Sequence, residues 1–275
     1  MSQRILLTGA TGFVGKQVLK AIQVQKATIT LVVRPGWKEK IQNHEGIIDI
    51  FETKDLFAES SEWWEAKCKN IDIIIHLAWY AVPGKYLTSE VNIDCLSGTL
   101  NLVKGASAGG IKRFIGIGTC FEYDHIDGML STNTPIKPLS LYAASKAATY
   151  LVISQWLSQK NIEFVWCRLF YLYGEGERAE RLVPYIRSKL ENNQTAELTS
   201  GTQVRDYINV SEAGSMIASM AFNKVLGCAN ICSGIPITIR ELAEQIADEY
   251  GKRELLRFGA RPDNLVDPPC VVGIK

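Results

Sequence analysis

Residues 8 to 15 read Thr8-Gly9-Ala10-Thr11-Gly12-Phe13-Val14-Gly15, and no other stretch constrains the chain as much. The octapeptide follows the apolar run Ile5-Leu6-Leu7, which has the length and flanks of a buried strand. It opens a segment, Phe13 to Val24, whose apolar residues fall at helical spacing. Strand, tight glycine turn and helix make the first βα unit of a dinucleotide-binding fold. The glycines are three apart rather than in the commoner Gly-x-Gly-x-x-Gly arrangement, yet each has a steric reason. Gly9 allows the turn, Gly12 lets the backbone approach a pyrophosphate, and Gly15 lets the helix lie close on the strand. Thr11, Phe13 and Val14 complete the cradle, with N–H groups at the helix start facing the phosphates.

Apolar, strand-like runs then alternate with helical patterns. The strands are expected at Arg4–Thr8, Thr28–Arg34, Gly46–Phe51, Ile71–Ala78, Arg113–Thr119 and Glu163–Phe170, with helices near 13–24, 61–69, 90–109 and 140–159. Near-continuous apolar strands separated by helices predict an α/β fold, a Rossmann-type doubly wound parallel sheet covered on both faces. After Phe170 the rhythm breaks at Tyr173-Gly174-Glu175-Gly176-Glu177, and helices follow near 180–192, from about 211, and over Ile239–Tyr250. Residues 1–170, with parts of 204–234, are therefore read as the dinucleotide-binding domain. The remainder of 171–275 is read as a small, interleaved C-terminal substrate lobe, with the cleft beyond the carboxyl ends of the strands.

Composition narrows the function by exclusion. A formal net charge of +1 gives no electrostatic case for nucleic acid or an anionic membrane. No apolar run approaches the ~18 residues that span a bilayer. The first strand begins by Ile5, which leaves no room for a signal peptide. Seven cysteines, an odd number without metal-ligand spacing, predict reduced thiols in a cytoplasmic protein and no metal site. Cys228 and Cys232 are read as core packing.

Two residues in the middle of the chain have the pattern of a reaction centre. Tyr142 and Lys146 are four apart on a predicted helix and share a face. A phenol, with an ordinary pKa near ~10, is a poor base at neutral pH, and a neighbouring ammonium would lower that value. Tyr185 and Lys189 have the same spacing, so context must separate the pairs. Tyr142 lies in Tyr-Ala-Ala-Ser-Lys-Ala-Ala, whose small residues let a helix pack against a sheet edge or a cofactor. A hydroxyl, Thr119, also stands at the carboxyl end of the preceding strand.

The chain resembles the extended short-chain dehydrogenases/reductases of the nucleotide-sugar epimerase/dehydratase/reductase group. The resemblance covers nearly the whole length. It rests on residues 8–15, Lys54-Asp55-Leu56, Asp72-Ile73-Ile74-Ile75-His76-Leu77-Ala78 and Gly118-Thr119-Cys120-Phe121-Glu122-Tyr123. Tyr142-x-x-x-Lys146, Arg168-Leu169-Phe170-Tyr171-Leu172-Tyr173-Gly174 and Val204-Arg205-Asp206-Tyr207-Ile208-Asn209-Val210 complete it. It implies a catalytic triad of Thr119, Tyr142 and Lys146, in which Tyr142 donates or accepts the proton at a sugar oxygen. Thr119 would hydrogen-bond that oxygen, and Lys146 would tune the tyrosine and bind the cofactor's ribose. The resemblance also implies that Asp55 and Leu56 approach the adenine, that Leu77 and Ala78 line the cofactor cleft, and that Arg205 and Arg261 bind a substrate diphosphate. Tyr123 and Trp79 are aromatic candidates for the cleft, and His76 is read as a core histidine.

Departures from the group's pattern sharpen the reading. Dehydratases of the group follow the catalytic threonine with an Asp-Glu pair, and here Cys120 and Phe121 stand in its place, which argues against dehydration. Tyr171 replaces the group's asparagine. NAD-preferring enzymes carry an acid at the end of the second strand, whereas this chain has Arg34, suited to a 2′-phosphate. NADP(H) is therefore the expected cofactor, with NAD(H) as the alternative. The expected activity is reduction of a 4-keto-6-deoxy-sugar nucleotide, with a 4-epimerase as runner-up and a non-catalytic cofactor-binding regulator as a third reading. The expected partner is a nucleotide-sugar substrate, and the resemblance allows a homodimer.

Overall fold

The computed structural model describes residues 2–41, 44–264 and 267–275. In chain order the elements are β1 (Arg4–Thr8), α1 (Phe13–Val24), β2 (Thr28–Val33), α2 (Lys38–Ile41), β3 (Ile47–Glu52), α3 (Ser61–Cys68), β4 (Ile73–His76), α4 (Val91–Ala108) and β5 (Arg113–Thr119). A 3₁₀ turn (Cys120–Glu122) leads to β6 (Met129–Leu130), α5 (Leu141–Gln159), β7 (Glu163–Leu169), β8 (Tyr171–Tyr173), α6 (Leu182–Glu191) and β9 (Ala196–Glu197). There follow β10 (Val204–Asn209), α7 (Val210–Ser219), β11 (Gly227–Ile231), β12 (Pro236–Thr238), α8 (Ile239–Tyr250), β13 (Leu256–Arg257) and β14 (Cys270–Gly273).

Seven strands form one sheet in the order β11-β7-β5-β4-β1-β2-β3, and every neighbouring pair is parallel. Strand side chains alternate between faces, so a sheet covered on both sides needs apolar residues at successive positions. Ile5, Leu7, Ile29 and Leu31 pack on one face against Val18 and Ile22 of α1 and Ile217 of α7. Leu6, Val32, Ile74 and Phe114 fill the other against Leu102 of α4 and Ile153 of α5. The order reverses between β1 and β4, the switch point beside which open sheets of this kind bind ligands.

The chain beyond Leu169 divides its elements. α7 packs on α1, and β11 joins the main sheet beside β7. The rest builds a second sheet, β12-β10-β14-β6, with β8 paired to β10; its edge strand β6 comes from before Leu169, so the expected 1–170 unit also gives a strand to this second sheet. A separate core forms between α6 and α8, centred on Ile186, Leu190, Leu242 and Ile246. α8 shows why this chain folds locally as it does. Thr238 and Glu241 form a capping box at its start, and Gly251 ends it in a left-handed conformation (φ 64°).

Three strands are shorter at their carboxyl ends than the apolar runs suggest. β4 is Ile73–His76 rather than Ile71–Ala78, β2 stops at Val33 before Arg34, and β7 stops at Leu169 before Phe170. Of the residues left over, Leu77 and Phe170 are apolar because they line the cleft, not because they extend a strand.

Candidate active site

A cavity of about 390 Å³ opens at the carboxyl ends of the central strands. One wall is the glycine turn, with Gly9, Gly12, Phe13, Val14 and Gly15 joined by Leu77. Gly9 has φ +74°, and a Cβ there would lie 2.7 Å from the backbone nitrogen of Ala78. A Cβ on Gly15 would lie 2.0 Å from the carbonyl oxygen of Gly9, so α1 can start against the turn only without a side chain. The N-cap of α1 is Gly12, with no side chain to satisfy the first N–H groups. Those donors suit the phosphates of a dinucleotide.

Thr119 and Tyr142 meet on the opposite side of the cavity. Thr119 ends β5, and its Oγ1 accepts from the backbone N–H of Phe121 at 3.3 Å. Tyr142 stands in the first turn of α5, which Ser140 caps by accepting from Ala143 N at 3.2 Å. Both side chains line the cavity, and burial pushes the Tyr142 phenol above its ordinary pKa, helped by the neighbouring Tyr86. The Tyr86 ring meets that of Tyr142 edge to face at 4.8 Å. Lys146 is one turn further along α5 and buried. Its Nζ donates to the carbonyl of Ile117 at 2.6 Å, and burial lowers its pKa to about 7. This corrects the expectation that the ammonium depresses the tyrosine. Here the lysine faces a carbonyl and the Trp79 ring, and Tyr142 keeps its proton.

Glu122 is the residue that the sequence reading missed. Its carboxylate accepts from the N–H of Thr119 at 2.8 Å, from Trp166 Nε1 at 3.0 Å and from Arg168 Nε at 2.8 Å. Both members of the Glu122–Arg168 pair are buried, and the guanidinium lies between the rings of Tyr123 and Tyr150. The network fixes the end of β5 and hence Thr119. The local signal was present, since Thr119-x-x-Glu122 has the spacing of a capping box, which the structure forms.

Several expected residues lie elsewhere. Tyr123 is not a cleft residue. It is fully buried, its hydroxyl donates to Asn230 Oδ1 at 2.7 Å, and burial raises its pKa to about 12. Arg205 is also buried, paired with Asp267 at 3.2 Å and donating to the carbonyl of Val204, so its guanidinium is already engaged. Arg261 is off the cleft, stacked 4.6 Å from the ring of Tyr185 and donating to that hydroxyl. The arginines that do line the mouth are Arg178 and Arg181, beside Glu177. Thr11, Ala78, Asp55, Leu56 and Arg34 are outside the cavity lining. Arg34 is exposed directly after β2, and Asp55 is exposed after β3, accepting from Phe57 N at 2.9 Å.

The alternative pair Tyr185 and Lys189 is spent on α6. The tyrosine hydroxyl accepts from Glu197 N, and the lysine donates to Gln194. His76 is a core histidine held between Thr8 and Thr99, with its pKa lowered to about 3 by burial. Cys120 and Phe121 both line the cavity, and burial pushes the Cys120 thiol up to about 12. All seven cysteines are free thiols. Among the described residues there is no metal-binding cluster, and no helix is long and apolar enough to cross a membrane.

The profile of the NAD-dependent epimerase/dehydratase family matches residues 5–228 of this chain, a span that includes the glycine turn, Thr119, Tyr142 and Lys146. The chain belongs to that family. Relatives similar to it include enzymes of nucleotide-sugar chemistry. dTDP-6-deoxy-L-talose 4-dehydrogenase (NAD⁺) of Aggregatibacter actinomycetemcomitans is 23% identical over 98% of this chain and 99% of its own length. CDP-abequose synthase of Salmonella muenchen is 25% identical over 97% of this chain and 88% of its own. In fold, UDP-N-acetylglucosamine 4-epimerase of Methanobrevibacter ruminantium, solved with UDP-N-acetylmuramic acid, superposes with a TM-score of 0.85. It is 22% identical, over 99% of this chain and 89% of that one.

For this family member, Arg205→Ala tests whether the buried arginine serves structure or substrate. The expected result is a loss of about 1.5–3 kcal/mol in urea unfolding, the scale of a hydrogen bond to a charged group, with KM for the substrate little changed. A raised KM with unchanged stability would return Arg205 to the substrate.

Proposed function

We propose that this enzyme reduces the 4-keto group of a nucleotide-linked 6-deoxy sugar, using NADP(H) in preference to NAD(H). The observation that carries the reading is that Thr119 and Tyr142 line one cavity with the glycine turn. The turn fits a dinucleotide because backbone fills the space that any Cβ at Gly9 or Gly15 would need. When bound, the dinucleotide supplies or accepts the hydride. The chain's own residues do the rest. Tyr142, kept protonated by burial, gives its proton to the oxygen that becomes a hydroxyl. Thr119 donates to the same oxygen and orients it. Lys146 would bind ribose hydroxyls.

Cys120 and Phe121 have no ionisable group at neutral pH to remove a proton and expel water, which favours reduction over dehydration. The aromatic wall of Trp79, Phe121, Phe170 and Tyr171 offers an apolar surface for a methyl in place of a hydroxymethyl. Arg178 and Arg181, at the mouth, are assigned to the diphosphate, for which a planar fork is well suited. Asp55 and Leu56 are assigned to the adenine end. We assign the residues after Leu169 that do not return to the main sheet to holding the sugar nucleotide. The 4-dehydrogenase relative, by its name, acts at the corresponding position of a 6-deoxy sugar nucleotide.

Incubation with NADPH or NADH and a panel of keto and hydroxy sugar nucleotides tests the reading. Cofactor oxidation in step with product supports it. Stereochemical inversion without net cofactor consumption would instead make the protein an epimerase. Arg34→Ala is expected to weaken NADPH binding by about 1–3 kcal/mol and leave NADH nearly unaffected, measured by fluorescence titration. Unaltered protein that already prefers NADH defeats the cofactor assignment.

A further inference from the structure

Lys146 has only 4% of its surface exposed, and its ammonium has two close neighbours. One is the Ile117 carbonyl. The other is the face of Trp79, whose ring centroid is 3.7 Å from Nζ. Trp79 is itself anchored. Its indole N–H donates to Asn92 Oδ1 at 2.9 Å, and the amide of the buried Asn92 donates to the carbonyls of Tyr86 and Ser89 at 2.7 and 2.8 Å. Phe57 meets the indole edge to face at 6.3 Å. A ring held in this way lines the same cavity as Thr119 and Tyr142. The reading above uses it only as part of the aromatic wall.

We propose that Trp79 is a positioning residue for Lys146, its indole face holding the buried ammonium directly behind the cavity lining, one helical turn from Tyr142. The inference rests on the assignment of Lys146 to the reaction. The physical basis is the negative face of the indole, which attracts a cation and is indifferent to a neutral amine. The ring therefore stabilises the charged lysine against burial, which lowers its pKa to about 7. The Trp166 ring also faces the ammonium, but at 5.9 Å against 3.7 Å for Trp79, and the titratable groups around it are few. Glu122 from the 3₁₀ turn and Cys95 from α4 favour the ammonium. His76 of β4 stays neutral, with its pKa near 3, and Tyr142 on α5 keeps its proton. Glu122 is bound to Arg168, so changing Trp79 tests the ring without removing a charge.

The test uses the full chain without cofactor, carrying carbon-13-labelled lysine. The Cε signal of Lys146, assigned by its loss in Lys146→Met, is followed by NMR as pH is varied. Trp79→Leu is expected to lower the proton affinity of Lys146 by about three- to thirtyfold, with Trp79→Phe in between. With NADPH and substrate present, the alkaline limb of kcat/KM should move to lower pH by the same factor. A midpoint or limb that stays put or moves up would overturn the proposal and leave Trp79 as a plug against water. If Trp79→Leu does not fold, Trp79→Phe decides alone by the same criterion. Normal turnover in Tyr142→Phe would sink the catalytic assignment, while the lysine titration of the free protein would still report on Trp79.

Discussion

Tyr142→Phe should lose at least two orders of magnitude in turnover while binding the dinucleotide as the unaltered protein does, since it removes a positioned acid and little else. The ring keeps its edge-to-face contact with Tyr86, so the loss is that of one hydroxyl facing the cavity. A hundredfold decrease corresponds to about 2.7 kcal/mol of transition-state stabilisation. Burial gives the effect a sign. A phenol whose pKa is raised holds its proton at neutral pH, which suits donation to a forming hydroxyl. The reverse oxidation needs the phenolate and should therefore quicken as pH rises. Steady-state turnover, set beside a fluorescence titration of the cofactor, makes the measurement. Tyr185→Phe is the control, because that hydroxyl is engaged with Arg261 and Glu197 on the far side of α6. An equal loss there would mean that the wrong tyrosine had been assigned.

The second large effect is expected at Glu122. Removing one partner of a buried ion pair leaves an uncompensated charge, and Glu122→Ala should destabilise the fold by about 3–5 kcal/mol. Arg168 would be left between two aromatic rings without its counter-ion, and the N–H groups of Thr119 and Trp166 would lose their acceptor. Urea unfolding measures this. Combining Glu122→Leu with Arg168→Met should recover much of the loss, since an apolar replacement of the whole pair is often neutral. A Glu122→Ala protein as stable as its parent would remove Glu122 as the support of Thr119.

The sequence made legible what depends on near neighbours. The bounds of α1 and α8 follow from apolar periodicity and from the glycines or caps at their ends, and both agree with the structure residue for residue. The glycine turn was reachable for the same reason, whereas the meeting of Thr119 and Tyr142 in one cavity was implied by the family resemblance. The misreadings concern partners far along the chain. Arg205 looked available until the fold brought Asp267 to it from 62 residues away, and Tyr123 is matched by Asn230 across 107. Arg178 and Arg181 lie in an irregular segment with no periodicity to mark them. Glu122 is different in kind. Its spacing from Thr119 is local, but its partners Trp166 and Arg168 lie 44 and 46 residues further along the chain.

The interleaved path of the chain after Leu169 has a mechanical consequence. The polypeptide passes between the main sheet and the second one at β7–β8, at β10–α7 and again between β11 and β12. Hinged enzymes open about a few residues in one or two strands of chain. The excursion from β5 out to β6 and back to α5 adds two more crossings, so a rotation of one sheet against the other would have to be absorbed at five junctions at once, one of which runs from Asn209 directly into α7. Opening of the cleft is therefore assigned to its rim, to the stretch from Gly174 to Arg181 and the turn around Pro83, rather than to swinging of whole bodies. By the same reasoning residues 1–170 cannot be cut away as a unit. The fragment would lose the edge strand β11 and the helix that covers α1.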